Sequence, residues 1–306
     1  MKTIARTLIL IALTTVYLTS AASADESSTT AASIDPAGVK YQLQSHFGDL
    51  DEIATRGILR VLVTHSKTDF FFDHGRIRGV QAEYVQEFLK KLNHGRTNRF
   101  HASESNRIIP QFVPVAFDEL IPSLLAGKGD IAAAFLTMTP EREAAVDFIS
   151  PQGRFVDEIL VAHKDAEPIE QLADLSGRTV YVLKGSSYAS HLLELNEALE
   201  IVDLPPVNMI NTDAQLLTED ILELVNAGII DYTVCDDFKA SLWSKALPDI
   251  RIYPDIRISS GQSVGWVVRP NSPQLTAALD TFSKDVKKGS FLGNLLFNKY
   301  YASTQW

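Results

Sequence analysis

The chain has 306 residues, 45% hydrophobic and 22% charged, with 28 Lys and Arg against 38 Asp and Glu and a formal net charge of −10. That length fits about two domains, and the apolar fraction is too high for general disorder. The acidic balance excludes the usual electrostatics of a nucleic-acid binder, and a single Cys excludes a disulfide framework or a Cys-cluster metal site.

Residues 1–24 read as a cleavable signal peptide. Lys2 and Arg6 make a basic start, Leu8 to Leu18 is apolar apart from Thr14 and Thr15, and Ala22-Ser23-Ala24 supplies the small-x-small cleavage pattern. The apolar run is about half of the ~20 residues a membrane span needs. The expected location is the periplasm. Residues 25–40, rich in Ser, Thr and Ala, read as a flexible leader.

Gly57 to Thr64 is a short apolar run, expected as a buried strand. Val80 to Leu92 carries a helical apolar period, and His94 to Arg107 is polar and irregular, as a surface insertion would be. Gln111 to Val115 reads as a strand whose Pro114 places it at an edge. Asp118 to Leu125 reads as a helix capped by Asp118, and Asp130 to Leu136 as the next strand. Alternating strands and helices imply an α/β fold with a largely parallel sheet.

An internal echo doubles this unit. Ala126-Gly127-Lys128-Gly129-Asp130 precedes one strand and Ala227-Gly228-Ile229-Ile230-Asp231 precedes another, each after an apolar helix; Gly57 to Ser66 is echoed by Gly177 to Ser187. Two α/β lobes of related build follow. Further strands are expected at Arg251–Ile256 and Ser263–Val268, and helices at Gln274–Lys287 and Phe291–Tyr301. If the C-terminal pair completes the first lobe, lobe one comprises residues 41–160 and 264–306, and lobe two residues 161–263. The chain then crosses twice, near Glu158–His163 and Ser259–Val268, as a two-strand hinge beside a cleft.

Ligands of open α/β sheets sit beyond the C-terminal strand ends, which selects four turns. In Thr137-Met138-Thr139-Pro140-Glu141-Arg142, Thr139 is an N-cap and Pro140 suits the first helical position, so Arg142 stands in a first turn already positive. An anion shared with the Thr137 hydroxyl would explain it; so would a surface pair with Glu141, Glu143 or Asp147. Asp236 ends the strand Tyr232–Cys235, either to hold an ammonium group or to cap the next helix, as Asp237 could equally do. Cys235 reads as a small buried residue. Ser186 and Ser187, after Gly185, offer donors to an oxygen-rich ligand or serve as caps. One ring of Phe70, Phe71 and Phe72 could enter the cleft, or pack in the core. No His spacing resembles a zinc site, and no nucleophile elbow or phosphate-binding loop occurs. No cofactor is expected.

From about Tyr41 to Tyr301 the chain resembles the periplasmic solute-binding proteins of family 3, the receptors of amino-acid ABC importers. The resemblance rests on Arg60-Val61-Leu62-Val63, Gly79-Val80-Gln81-Ala82-Glu83, Phe117-Asp118-Glu119-Leu120-Ile121-Pro122, Gly129-Asp130-Ile131, Thr139-Pro140-Glu141-Arg142, Val146-Asp147-Phe148-Ile149-Ser150-Pro151 and Asp174-Leu175-Ser176-Gly177, in that order. It implies a two-lobed periplasmic-binding-protein fold that closes on a small zwitterion. Arg142 would hold the carboxylate, with Ser186 and Ser187 contacting it, Asp236 the amino group, and one ring of Phe70 to Phe72, for which Phe70 and Phe72 are the candidates, would stack on the ligand. The usual Pro-Pro-Phe segment is replaced by Asp69-Phe70-Phe71-Phe72, and Phe135 stands where a small or polar residue is common. The stretches Arg56 to Val61 and Leu296 to Tyr301 resemble another branch, the regulatory domain of membrane-bound lytic transglycosylase F. In those enzymes a catalytic domain follows, before which this chain ends.

The expectation is therefore an exported, monomeric, non-catalytic binding protein for an amino acid or short peptide, serving an ABC importer membrane complex. Rival readings are a sensor or regulatory module, and an enzyme, either a dehydratase or a remnant cell-wall lyase, on the same fold.

Overall fold

The structure is a computed structural model that describes residues 45–94, 107–150 and 154–302. The expected signal peptide and leader, and most of the insertion expected at His94–Arg107, lie outside the described residues.

Helix α1 (Leu50–Arg56) opens the fold. Asp49 accepts from the Leu50 N–H, Glu52 reaches back to the Asp49 N–H, and Gly57 ends the helix in the left-handed conformation at φ 73°. Strand β1 (Ile58–Val63) follows, buried after its first residue. A hairpin of β2 (Phe71–Asp73) and β3 (Arg76–Arg78) leads into α2 (Val80–Asn93), whose apolar face is buried at Val80, Tyr84, Val85, Phe88 and Leu89. Strand β4 (Ile109–Pro114) is an edge strand, consistent with Pro110 and Pro114.

Asp118 is not a helix cap. The segment starts as a 3-10 turn, Phe117–Glu119, behind Ala116, and becomes α3 only at Leu120–Leu125. The Asp118 carboxylate instead pairs with Lys184 at 2.8 Å. Strand β5 (Ile131–Thr137), the short helix α4 (Pro140–Glu143) and β6 (Asp147–Ile149) complete the first strand group.

The second group contains β7 (Phe155–His163), β8 (Thr179–Val182), α5 (Ser187–Ile201), β9 (Asn208–Asn211), α6 (Thr218–Asn226), β10 (Tyr232–Asp236) and α7 (Asp237–Trp243). In the first group β1 lies between β4 and β5, all parallel; in the second β8 lies between β9 and β10, all parallel. Each group thus places its first parallel strand centrally and adds the next two on either side. The sequence echo is an echo of topology.

Strand β11 (Ile250–Val268) joins the groups. Ile250 to Ser263 pair with β7 and Val264 to Val268 with β5 and β6, giving the sheet order β4-β1-β5-β11-β7-β10-β8-β9. The two strands expected at Arg251–Ile256 and Ser263–Val268 are one, with register shifts after Tyr253 that accommodate the missing N–H of Pro254. Strand β7 pairs with β10 from Glu158 to Ala162 and with β11 from Phe155 to His163. Helices α8 (Pro273–Ser283) and α9 (Phe291–Tyr301) then return to the first group, packing on α2.

The first group is braced by a buried ion cluster. Asp130, directly before β5, accepts from the Arg60 N–H and guanidinium and pairs with Arg56, all between 2.7 and 3.3 Å. Both Arg60 and Asp130 are buried, so each charge depends on the other for its solvation.

Candidate functional site

The C-terminal ends of β1, β5, β8 and β10 meet at one cavity, an empty space of about 480 Å³ that is partly open to solvent. Thr64, Ser66 and Asp69 enter it from the turn after β1, and Thr137 and Arg142 from the end of β5 and from α4. Ser186, Ser187 and Tyr188 come from the start of α5, Thr218 and Glu219 from α6, and Asp236 and Lys239 from the end of β10 and α7.

Thr139 caps α4, its hydroxyl accepting from the Arg142 N–H at 3.4 Å, with Pro140 in the first turn. The cap turns the guanidinium back over β5. Its Nη1 donates to the Thr137 carbonyl at 2.7 Å and its Nη2 to the Gly185 carbonyl at 2.9 Å, so one side chain spans both strand groups. Burial depresses the Arg142 pKa, opposed by Glu158, Tyr188, Glu141 and Asp236. Two of five N–H donors are spent, and the remainder suit a planar anion.

The acidic wall is richer. Asp236 is buried at the end of β10 and accepts from the Tyr188 hydroxyl at 3.0 Å. Burial pushes its carboxyl up to about 7, although Lys239 and the Tyr188 hydrogen bond act the other way. Lys239 lies three residues along, on the helical spacing that keeps both side chains on one side. Its ammonium meets Asp69 at 3.0 Å, joining α7 to the turn after β1. Burial works against that charge, but Asp69, Glu219 and Asp236 together raise the Lys239 pKa. Asp69 also accepts from Tyr301.

Behind the cavity, Glu158 on β7 lies opposite Asp236 in the antiparallel register. It is fully buried and accepts from the Ser187 hydroxyl and from His191 Nδ1, both at 2.6 Å. The hydrogen bond that His191 donates to Glu158 raises the His191 pKa against the effect of burial.

Residues 59–302 match the model of the bacterial extracellular solute-binding proteins, family 3. The chain belongs to that family. Among curated relatives, a membrane-bound lytic murein transglycosylase F of Desulfosudis oleivorans is 36% identical over 191 residues, 61% of this chain and 39% of the relative. A protein of the same name from Pseudomonas fluorescens is 26% identical over 82% of this chain and 48% of its own length. The chain thus spans less than half of these relatives. Among solved structures, an ancestral arginine-binding protein bound to arginine superposes with a TM-score of 0.64 at 25% identity, covering 81% of this chain and 99% of that one. The fold is the two-lobed α/β fold of such periplasmic binding proteins, with β7 and β11 as the two linking strands.

Within this family-3 fold, five residues singled out in the sequence, Arg142, Thr137, Asp236, Ser186 and Ser187, line one cavity. Their chemistry differs in detail. Thr137 meets Arg142 through its carbonyl, Ser186 donates its hydroxyl to the Leu183 carbonyl at 2.6 Å, and Ser187 donates to Glu158. Both serine protons are committed to the protein.

Phe70 and Phe72 are corrections, since neither lines the cavity. Ser66 and Phe70 form a bridge that folds the segment straight into the β2–β3 hairpin. Phe70 is thereby packed 5.0 Å from the Phe112 ring in the core, and Phe72 is left on the surface side of the hairpin. Phe71 packs on Tyr300. Rings in the cavity come from Phe117, Tyr188 and Phe135, the last held by Phe238, Phe297 and Tyr301.

Asp69, Glu219, Lys239 and Phe117 went unrecognised as cavity residues in the sequence. Lys239 was detectable by its three-residue offset from Asp236, and Phe117 by its place in the Phe-Asp-Glu-Leu motif. Asp69 and Glu219 carried no local signal. Cys235 is fully buried with its thiol pKa raised well above the ordinary range by burial, so it is packing and no nucleophile. Among the described residues no group of three or more His, Cys, Asp and Glu is placed to hold a metal, and no helix is long and apolar enough to cross a membrane.

Proposed function

We propose that this chain is an exported, periplasmic binding module whose two lobes close on one small zwitterion, an amino acid or short peptide, without turning it over. Lobe one, residues 41–160 with 264–306, contributes Arg142 for the carboxylate; lobe two, residues 161–263, contributes Asp236 for the ammonium group. The observation that carries this reading is their placement: a guanidinium bonded only to two carbonyls and a carboxylate bonded only to the Tyr188 hydroxyl, from opposite strand groups, line the same cavity. Closure would remove both charges from water, where their interaction with the guest is strongest.

A solute that binds only the folded chain raises its melting temperature, by about 2.7 kcal/mol of stabilisation at a hundredfold excess over Kd. A thermal-shift screen of amino acids and short peptides is expected to give at least one clear shift, lost in Arg142→Ala and in Asp236→Ala. No shift with any zwitterion, or shifts unchanged in both variants, would refute the reading.

Two destinations for the bound solute follow from this reading. One is delivery to an ABC importer membrane complex, as for a solved neighbour that is the substrate binding protein of an amino acid ABC transporter. The other is a regulatory role, since the relatives at 36% and 26% identity are named as lytic transglycosylases. In a regulatory role the bound solute would signal to a partner rather than be handed to a permease. Turnover of peptidoglycan, or of a bound acid, by the purified chain would instead establish an enzyme.

A further inference from the structure

Two cavities share one side chain. Phe135 lines the solute cavity, and among the described residues it alone also lines a second cavity, about 380 Å³ and partly open to solvent, within the first strand group. The second cavity is walled mainly by Tyr84, Ile149, Trp266, Leu279, Phe282 and Val286. The polar atoms of its aromatic walls are tied elsewhere. The Tyr84 hydroxyl donates to the Gly293 carbonyl at 3.3 Å, and the Trp266 indole N–H to Gln81 at 2.7 Å. The space therefore suits an apolar group better than water, which needs several polar partners.

The backbone is relaxed where the two cavities meet. Gly265 of β11 pairs with Leu136 and Val267 with Ala132, so Ala133, Ala134 and Phe135 of β5 face Trp266 alone. Such a bulge re-aims side chains beside a site. On its present side the ring meets Phe238 at 5.6 Å, Tyr301 at 6.1 Å and Phe297 at 6.5 Å, all edge-on. Across the shared wall, Tyr84, Trp266 and Phe282 offer rings of the same kind. Phe135 also stands two residues before Thr137, whose carbonyl receives Arg142, so it borders the site assigned to the solute carboxylate.

We infer that Phe135 is the specificity gate of the solute cavity. A solute with little side chain leaves the ring where it is. A solute with a larger apolar side chain drives the ring into the second cavity and fills the space it leaves. Exchanging one aromatic setting for another keeps the two ring positions close in free energy, which lets a small solute decide between them. The favoured class is thus zwitterions with an apolar side chain larger than a methyl group. This inference rests on the zwitterion reading above, and its test separates the two.

The test is fluorine NMR of the full chain labelled with 4-fluorophenylalanine, the Phe135 signal being assigned by its loss in Phe135→Leu. The probes are glycine, L-leucine and L-phenylalanine, with affinities from titration calorimetry. Glycine is expected to leave the Phe135 signal in place, and at least one of the larger probes to shift it. Val286→Phe fills the second cavity from the wall away from the solute. It is expected to weaken the larger probes about tenfold or more and glycine by less than about threefold. Adding Phe135→Ala should restore the larger probes, a rescue that general damage to the fold would not give. Larger probes that bind without moving the Phe135 signal overturn the inference, and so does a Val286→Phe chain that loses all the probes equally. Where that variant does not fold, the signal in the unaltered chain decides alone. Should only zwitterions without an apolar side chain bind, this inference falls and the zwitterion reading stands. Should no zwitterion bind, both fall.

Discussion

Asp236 and His191 give the site a pH dependence of definite sign. The folded Asp236 carboxyl titrates near 7, well above its ordinary 3.8. A solute ammonium needs the ionised form, so affinity is expected to rise with pH up to about 7 and to fall by up to about tenfold per pH unit below it. Asp236→Asn should weaken binding and flatten that profile, read by titration calorimetry between about pH 5 and pH 9. Without solute the sign reverses. A raised carboxyl pKa contributes stability that is fully present below 3.8 and is lost as pH rises through about 7. His191, raised from 6.5 by Glu158, contributes stability present below 6.5 and lost as pH passes its folded value. The solute-free chain should therefore melt at a lower temperature as pH increases from about 5 to 8, with a shallower slope in Asp236→Asn; a flat profile in the unaltered chain would count against this account of the carboxyl.

At the scale of elements, two short segments carry more than their length suggests. The Gly129-Asp130 turn reads as a strand signal, but Asp130 is an electrostatic brace between β1 and β5, contacting Arg56 and Arg60. Asp130→Ala leaves a buried guanidinium uncompensated and is expected to cost about 3–5 kcal/mol, measured by urea denaturation. The turn after β8 is equally exacting. Gly185 has φ +75°, and a Cβ there would stand 2.6 Å from the Asp118 Cβ on the other side of the cleft. Its carbonyl also receives Arg142. Gly185→Val should thus obstruct closure specifically, reducing solute affinity by about tenfold or more. The unfavourable φ should also cost the solute-free chain about 1–3 kcal/mol.

For the whole molecule, three ion pairs join the two strand groups beside their hydrogen bonds and ring contacts. Lys184 meets Asp118 at 2.8 Å, Lys67 meets Glu223 at 2.5 Å, and Lys239 meets Asp69. The Lys67 pair is solvent-exposed and the Lys184 pair partly so, each worth about 0–1 kcal/mol, whereas the third is buried. Closure held by such pairs is adjustable by a small bound solute. Replacing both exposed lysines, in Lys67→Met with Lys184→Met, is expected to enlarge the radius of gyration in solution scattering and to weaken solute binding by about three- to tenfold, as about 1 kcal/mol of closure is lost. An unchanged scattering profile would show that these pairs do not set the open–closed balance.

Much of this was legible in the residues. The paired Ala-Gly-x-x-Asp strands anticipated two groups with one topology, because strand order follows local units that recur in sequence. Thr139 and Pro140 defined the turn that aims Arg142, since capping is a three-residue interaction. Asp236 was visible as a carboxylate closing a buried strand. The ring, the lysine and the second acid were not. Phe70 went to the core because a single bridge from Ser66 bent the chain early, a choice that periodicity does not encode. Lys239 and Asp69 are 170 residues apart in the chain and 3.0 Å apart in space. Contacts of that range depend on how two lobes meet, and sequence spacing constrains only what lies within one helix or one strand.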